Sequence, residues 1–161
     1  MKFKYTIPLL LLSILGCNPT DDVMKIFTGK TWKLNHISTD KGDCTREYFS
    51  SQAQWDASMK LLSERGNFVI SFTGAEINGT VTGTYSGRAA NNTFSGKWEA
   101  NGKNNTFRTN QADPAANEDL LGKVFINALK NAYKYEGDTN GNLTIHFKEN
   151  NASKYLLLYA N

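Results

Sequence analysis

His36 and Cys44 stand close in the chain, with Glu47 just beyond them. A base, a thiol and a carboxylate to orient the base are the parts that thiol catalysis needs. Their spacing matches no nucleophile signature, and His36 falls on the same alternating face as Trp32 and Leu34, so a buried, hydrogen-bonded imidazole is expected. Asp138, Asn140, Asn142 and Glu149 occupy the first, third, fifth and twelfth positions of a calcium-loop pattern. Its sixth position needs glycine for a sharp bend but holds Leu143, and residues 143–148 alternate as a strand, so Asp138–Asn142 reads as a turn. His36, Cys44 and His146 are too scattered for zinc. No catalytic, metal or cofactor site is therefore expected, and the protein is not expected to be an enzyme. Six aromatic residues remain. Phe68, Phe72, Tyr85, Phe94, Trp98 and Phe107 either line a ligand cavity in a small barrel or fill it.

The elements that place these residues follow from periodicity. Leu120, Leu121, Val124, Phe125, Leu129, Ala132 and Tyr133 recur at three- and four-residue intervals, which predicts a helix over 117–134 with one apolar stripe. Asn117 is its expected cap, with Glu118 and Asp119 against the positive end of the dipole and Lys130 and Lys134 near the other. Ser51 and Gln54 form a capping-box pair before a smaller helix carrying Trp55, Met59 and Leu62. Val23–Phe27 is a helical turn closed by Gly29. Period-two alternation marks strands at 31–37, 68–72, 77–85, 94–100, 107–109, 143–147 and 154–160. Asn101-Gly102 is a hairpin signal, and glycines at alternate inward positions suggest a ring or a backbone approaching closely. The last strand is apolar on both faces and should be central. The fold class is α+β: an antiparallel, strongly twisted sheet or partly closed barrel of about seven strands, with one main helix packed on it and a second, smaller helix.

The N-terminus carries a different signal. Lys2 and Lys4, an apolar run from Ile7 to Leu15, and Ile14-Leu15-Gly16-Cys17 have the architecture of an export signal, and the tetrapeptide resembles the lipobox of bacterial lipoproteins. The resemblance implies a signal peptide over 1–16 and acylation, as by palmitate, of Cys17. The apolar run is shorter than the roughly 20 residues that span a bilayer. Residues 17–22 form a short polar tether, and its acidic residues look like the surface-export tag of some Gram-negative lipoproteins or, alternatively, belong to a solvated linker in which Asp22 caps the next turn. Residues 23–161 then make one domain. The membrane is the expected partner through lipid on Cys17, at about 0.8 kcal/mol for each buried methylene. An outer-membrane site in the cell envelope is expected, with the face left open.

Without Lys2 and Lys4, 16 basic residues stand against 15 acidic ones, and the formal net charge falls from +3 to +1. No Lys/Arg cluster interleaves with aromatics, so nucleic acid is not an expected partner. With Cys17 acylated, Cys44 has no internal disulfide partner, and stability must come from packing. Sequons at Asn78, Asn91, Asn104, Asn142 and Asn151 read as products of Asn-rich turns.

One resemblance covers residues 30–160. A Trp-containing first strand, a Gly-rich strand, Asn91-Asn92-Thr93-Phe94-Ser95-Gly96, Thr109 before Asp113-Pro114, Glu118 opening a helix and the Leu143–Phe147 strand are similar to the META domain of small bacterial heat-shock-type lipoproteins. Asn91 and Asp113 stand where that family has cysteines, and the helix at Trp55 is an insertion. The resemblance implies a non-enzymatic envelope protein with a structural or protein-interaction role, associated with stress. The alternative from the residues is a lipocalin-like carrier of a small apolar ligand, which would need a cavity of roughly 300 Å³ or more.

Overall fold

Period-two alternation runs through most of the chain, and in space it bends one antiparallel meander round on itself. The computed structural model describes residues 19–161. In order, the elements are α1 (Pro19–Phe27), β1 (Thr31–Thr39), β2 (Gly42–Asp43), a 3-10 turn (Thr45–Tyr48), α2 (Gln52–Ser63), β3 (Val69–Ile77), β4 (Thr80–Arg88), β5 (Thr93–Asn101), β6 (Thr106–Thr109), α3 (Leu120–Lys130), β7 (Ala132–Gly137), β8 (Asn142–Glu149) and β9 (Ala152–Ala160). Strands β3 to β9 pair in sequence order, and β1 closes the ring by pairing with both β3 and β9. The result is an α+β fold, an eight-stranded antiparallel barrel with β2 as an extra strand on β1, a main helix and a smaller one. The predicted signal peptide and acylated Cys17 lie outside the described residues. Helix α1 begins at Pro19, inside the segment expected to be a tether.

Two strands are additional to the seven expected from alternation, the short β2 and the longer β7, and β7 consumes the end of the predicted 117–134 helix. Ala132 and Tyr133 keep helical spacing, but their backbone joins β8, with Ala132 opposite Phe147 and Gly137 opposite Leu143. Cross-strand pairing overrides local pattern there. The cap also moves. Asp119, not Asn117, accepts from the N–H groups of Leu121 at 2.9 Å and Gly122 at 3.3 Å. The apolar stripe holds: Leu121, Val124, Phe125 and Leu129 are buried, whereas Leu120 faces solvent.

Three further differences have local causes. A register shift between Leu34 and His36 in the β1–β9 ladder puts Ile37 inside and takes His36 off the Trp32–Leu34 face. Ile77 is the last residue of β3 and not the first of β4, because Asn78 and Gly79 both adopt positive φ (53° and 79°) and close a tight hairpin. Strand β9 is paired on both sides as expected for a central strand. Only Leu156 and Leu158 point into the core, however, while Tyr155, Leu157 and Tyr159 lie on the outer face.

The barrel has two plugged ends. At one end α3 inserts Phe125 against Phe68 and Phe94, with ring centroids 6.2 and 5.7 Å apart. At the other, α1 lies across the mouth with Val23, Ile26 and Phe27 buried. Glycine permits the tight curvature of β3 and β4: a Cβ on Gly83 would stand 1.8 Å from the Thr73 carbonyl oxygen.

Candidate binding surface

All six aromatic residues singled out in the sequence converge in the barrel interior, and all six are buried. They fill it. Phe27, 0% exposed, is inserted from α1 among rings of β3, β5, β6 and β7: its centroid is 5.1 Å from Phe72, 4.9 Å from Trp98, 5.2 Å from Phe107 and 5.0 Å from Tyr135. Its plane is within 4° of that of Phe107, a stacked pair, while Phe72 and Tyr135 meet it edge-on. The polar tips are satisfied internally: Trp98 Nε1 donates to the Thr73 carbonyl at 2.9 Å, and the Tyr85 hydroxyl to Gln111 Oε1 at 2.7 Å. Burial pushes the Tyr85 phenol above its ordinary range. Phe27 was absent from the expected set because its only local signal is membership of a short helical turn.

The larger hollows lie outside this packed interior. A groove of about 610 Å³ crosses the outer face of β4, β5 and β6, between Thr82 and Thr84, Lys97 and Glu99, and Arg108 to Asn110. Strand register sets Thr82 opposite Glu99, Thr84 opposite Lys97, and Glu99 opposite Arg108, giving a strip of alternating hydroxyl, cationic and anionic groups. Such a strip suits a polar partner with both donors and acceptors. These are the wet-side residues of the predicted alternation, which marks a face but does not show that it is concave. A second hollow, about 680 Å³, lies beside α1 between Asp22, Ile26, Asn105, Tyr135 and Asp138.

The candidate chemical groups have other duties. Cys44 is buried and its amide donates to the Ile37 carbonyl at 2.9 Å. Burial, only partly offset by Lys154, pushes its thiol up, the reverse of an activated nucleophile. A thiol-disulfide reagent at pH 8 is expected to leave Cys44 unmodified in the folded protein and to react with it promptly in denaturant. His36 is half-buried beyond the bulge. His146 Nε2 lies 3.2 Å from Glu136 Oε1; burial lowers its pKa and Glu136 opposes that. The Asp138 carboxylate accepts from the backbone of Asn140 and Asn142 and from the Asn142 side chain, so it shapes the β7–β8 turn. Glu149 sits at the far end of β8, 2.7 Å from Lys154 Nζ and accepting from the Tyr48 hydroxyl at 3.0 Å. Among the described residues no group of three or more His, Cys, Asp or Glu is arranged to hold a metal ion.

Two buried charges were not legible beforehand. Lys33 Nζ donates to the carbonyls of Glu64 at 3.0 Å and Asn67 at 2.7 Å, fastening the connection after α2, and burial lowers its pKa. Glu118 accepts from the amides of Ala90, Asn91 and Asn92 at 3.1, 2.9 and 2.8 Å.

The fold is thus a closed antiparallel barrel with a packed interior and hollows on its outer surface. The chain belongs to the family described as Domain of unknown function (DUF4847), whose model matches residues 18–160. A solved structure of a DUF4847 family protein from Bacteroides vulgatus is similar over 86% of this chain and 97% of that one, with 26% identity and a TM-score of 0.60. No functionally curated protein matches. These findings correct the expected kinship with META domains. The residues that carried it serve this barrel's own contacts: Asn91 and Asn92 hold Glu118, Thr109 Oγ1 donates to the Leu129 carbonyl at 2.8 Å, and Asp113 pairs with Lys130 at 2.5 Å. Among the described residues no helix is long and apolar enough to cross a membrane.

Proposed function

We propose that this protein is a lipid-anchored component of the bacterial envelope that works by binding on the outside of its barrel, in a structural or protein-interaction role and without catalysis. The observation that carries the reading is the occupied interior. Where a carrier would hold a ligand, Phe27 of the chain itself stacks on Phe107 and touches three further rings. Recognition then falls to the β4–β6 groove, whose Lys97, Glu99 and Arg108 side chains project outward.

The test is affinity capture from the protein's own envelope with the full chain and with a Lys97→Glu/Arg108→Glu variant. A partner held by the wild type and weakened by about tenfold, near 1.4 kcal/mol, in the variant is the expected result. Equal retention by both proteins would remove the groove from the reading. A lipocalin-like carrier, with which the barrel fold is compatible, would instead bind an apolar fluorescent probe saturably, one per chain, with quenching of Trp98.

A further inference from the structure

The barrel is polar in a geometric sense. One end gathers α1, the β3–β4, β5–β6 and β7–β8 hairpins and the C-terminus; the other carries α2, α3, the β1–β2 turn and the β8–β9 turn. Cross-links between tips define the first end: Asn101 Nδ2 donates to Thr80 Oγ1 at 3.3 Å, the Tyr135 amide to the Asn105 carbonyl at 2.9 Å, and the Ala160 amide to the Gly141 carbonyl at 2.9 Å. Asp22 and Ile26 of α1 share a hollow with Gly102, Asn105 and residues 137–139 of the same end.

Chain length then constrains where the barrel can stand. Only Asn18 separates Cys17 from Pro19, the first residue of α1. Two Cα-to-Cα steps reach about 7–8 Å, and the stretch from Pro19 to Asp22 adds about 4.5 Å of helical rise. If Cys17 carries acyl chains, the mouth occupied by α1 is held within roughly 12 Å of them. The same end also exposes apolar surface. Ile77, at the β3–β4 tip, is 59% exposed, the most exposed large apolar side chain among the described residues, and Tyr159, near the end of β9, is 40% exposed. Nothing in the core requires an isoleucine at a solvated hairpin tip. Tyrosine suits the water–bilayer boundary, where a ring can be shielded and its hydroxyl stay wet. Charge at this end is mixed, Lys25, Lys30 and Lys103 against Asp22, Glu76 and Asp138, so apolar insertion and not attraction to anionic lipid would make the contact.

We propose that the α1 end is a bilayer-facing surface, with Ile77 inserted among lipid headgroups, Tyr159 at their edge, and the α3 end projecting away. This rests on the anchoring reading and adds an orientation to it. The test uses the full acylated chain in phosphatidylcholine vesicles, with Cys44→Ala to remove the other thiol and an environment-sensitive fluorophore on Ile77→Cys or, at the opposite end, on Lys41→Cys. Several-fold weaker iodide quenching at position 77 than at 41, together with quenching by headgroup-labelled lipid at 77 alone, is expected. Equal iodide access at the two positions, in protein whose Cys17-dependent acyl label and co-sedimentation with vesicles are intact, overturns the orientation and leaves the anchor standing. Absence of an acyl label that a Cys17→Ser variant would abolish overturns both.

Discussion

Phe27→Ala is expected to destabilise the barrel by roughly 3–5 kcal/mol, the usual cost of deleting a fully buried phenylalanine from a core that cannot collapse around the void. Collapse is restricted here because the ring's neighbours belong to four separate strands, Phe72, Trp98, Phe107 and Tyr135, each held in register by its own ladder. Equilibrium denaturation in urea, followed by tryptophan fluorescence, measures the loss. A decrease below about 1 kcal/mol would mean that α1 is not packed in the mouth as described, since surface substitutions stay within about 0.5 kcal/mol. The same variant bears on function: an apolar void of this type stays dry and accepts benzene-sized molecules. Saturable binding of benzene by Phe27→Ala and not by the wild type would identify Phe27 as the occupant of the space that a carrier would reserve for its ligand.

Glu118→Ala is expected to cost about as much for an unrelated reason. The carboxylate, only 5% exposed, receives three backbone amides of the β4–β5 loop, the Asn92 side-chain amide at 2.9 Å and the Asp119 amide at 2.9 Å. Each buried donor left without an acceptor costs about 1–3 kcal/mol, and water can reach the amides near exposed Asn91, so about 3–5 kcal/mol in total is expected. Gly122 is part of the arrangement, since a Cβ there would lie 2.5 Å from Glu118 Oε1. Burial alone would raise the Glu118 pKa; the hydrogen bonds from Asn91, Asn92 and Asp119 outweigh it and hold the carboxyl below its ordinary 4.5. A carboxyl depressed in the folded state stabilises fully above the unfolded value and loses that contribution as pH falls through the folded one. Wild-type stability should therefore fall as the solution is acidified below about 4.5, and Glu118→Gln should show a shallower dependence there. Equal slopes would remove Glu118 from the acid response.

Glu118 also shows how a correct local observation can serve a different purpose in the fold. An acidic residue before an apolar helical run reads as a dipole partner, and the residue next to it, Asp119, does cap the helix. Glu118 turns away to a loop 26–28 residues earlier, a contact that no window around position 118 contains. The candidate surface divides in the same way. Outward threonines and charges on β4 and β5 follow from alternation, whereas the groove they form requires Arg108 and Asn110 to be brought alongside by the β5–β6 hairpin.

What the sequence determined by itself is whatever neighbouring residues decide through sterics and short-range hydrogen bonds. This includes the alternating strands, the buried stripe from Leu121 to Leu129, the Ser51 cap on α2, the close approach at Gly83 and the placing of the aromatic residues in the interior. Tertiary structure decided the rest. It drew β7 out of a helical pattern, shifted register at Asn35, seated Phe27 in the mouth and closed the ring by setting Trp32 opposite Ala160. Those outcomes depend on backbone groups and rings far apart in the chain, whose pairing becomes favourable only when the whole meander has folded round to satisfy them together.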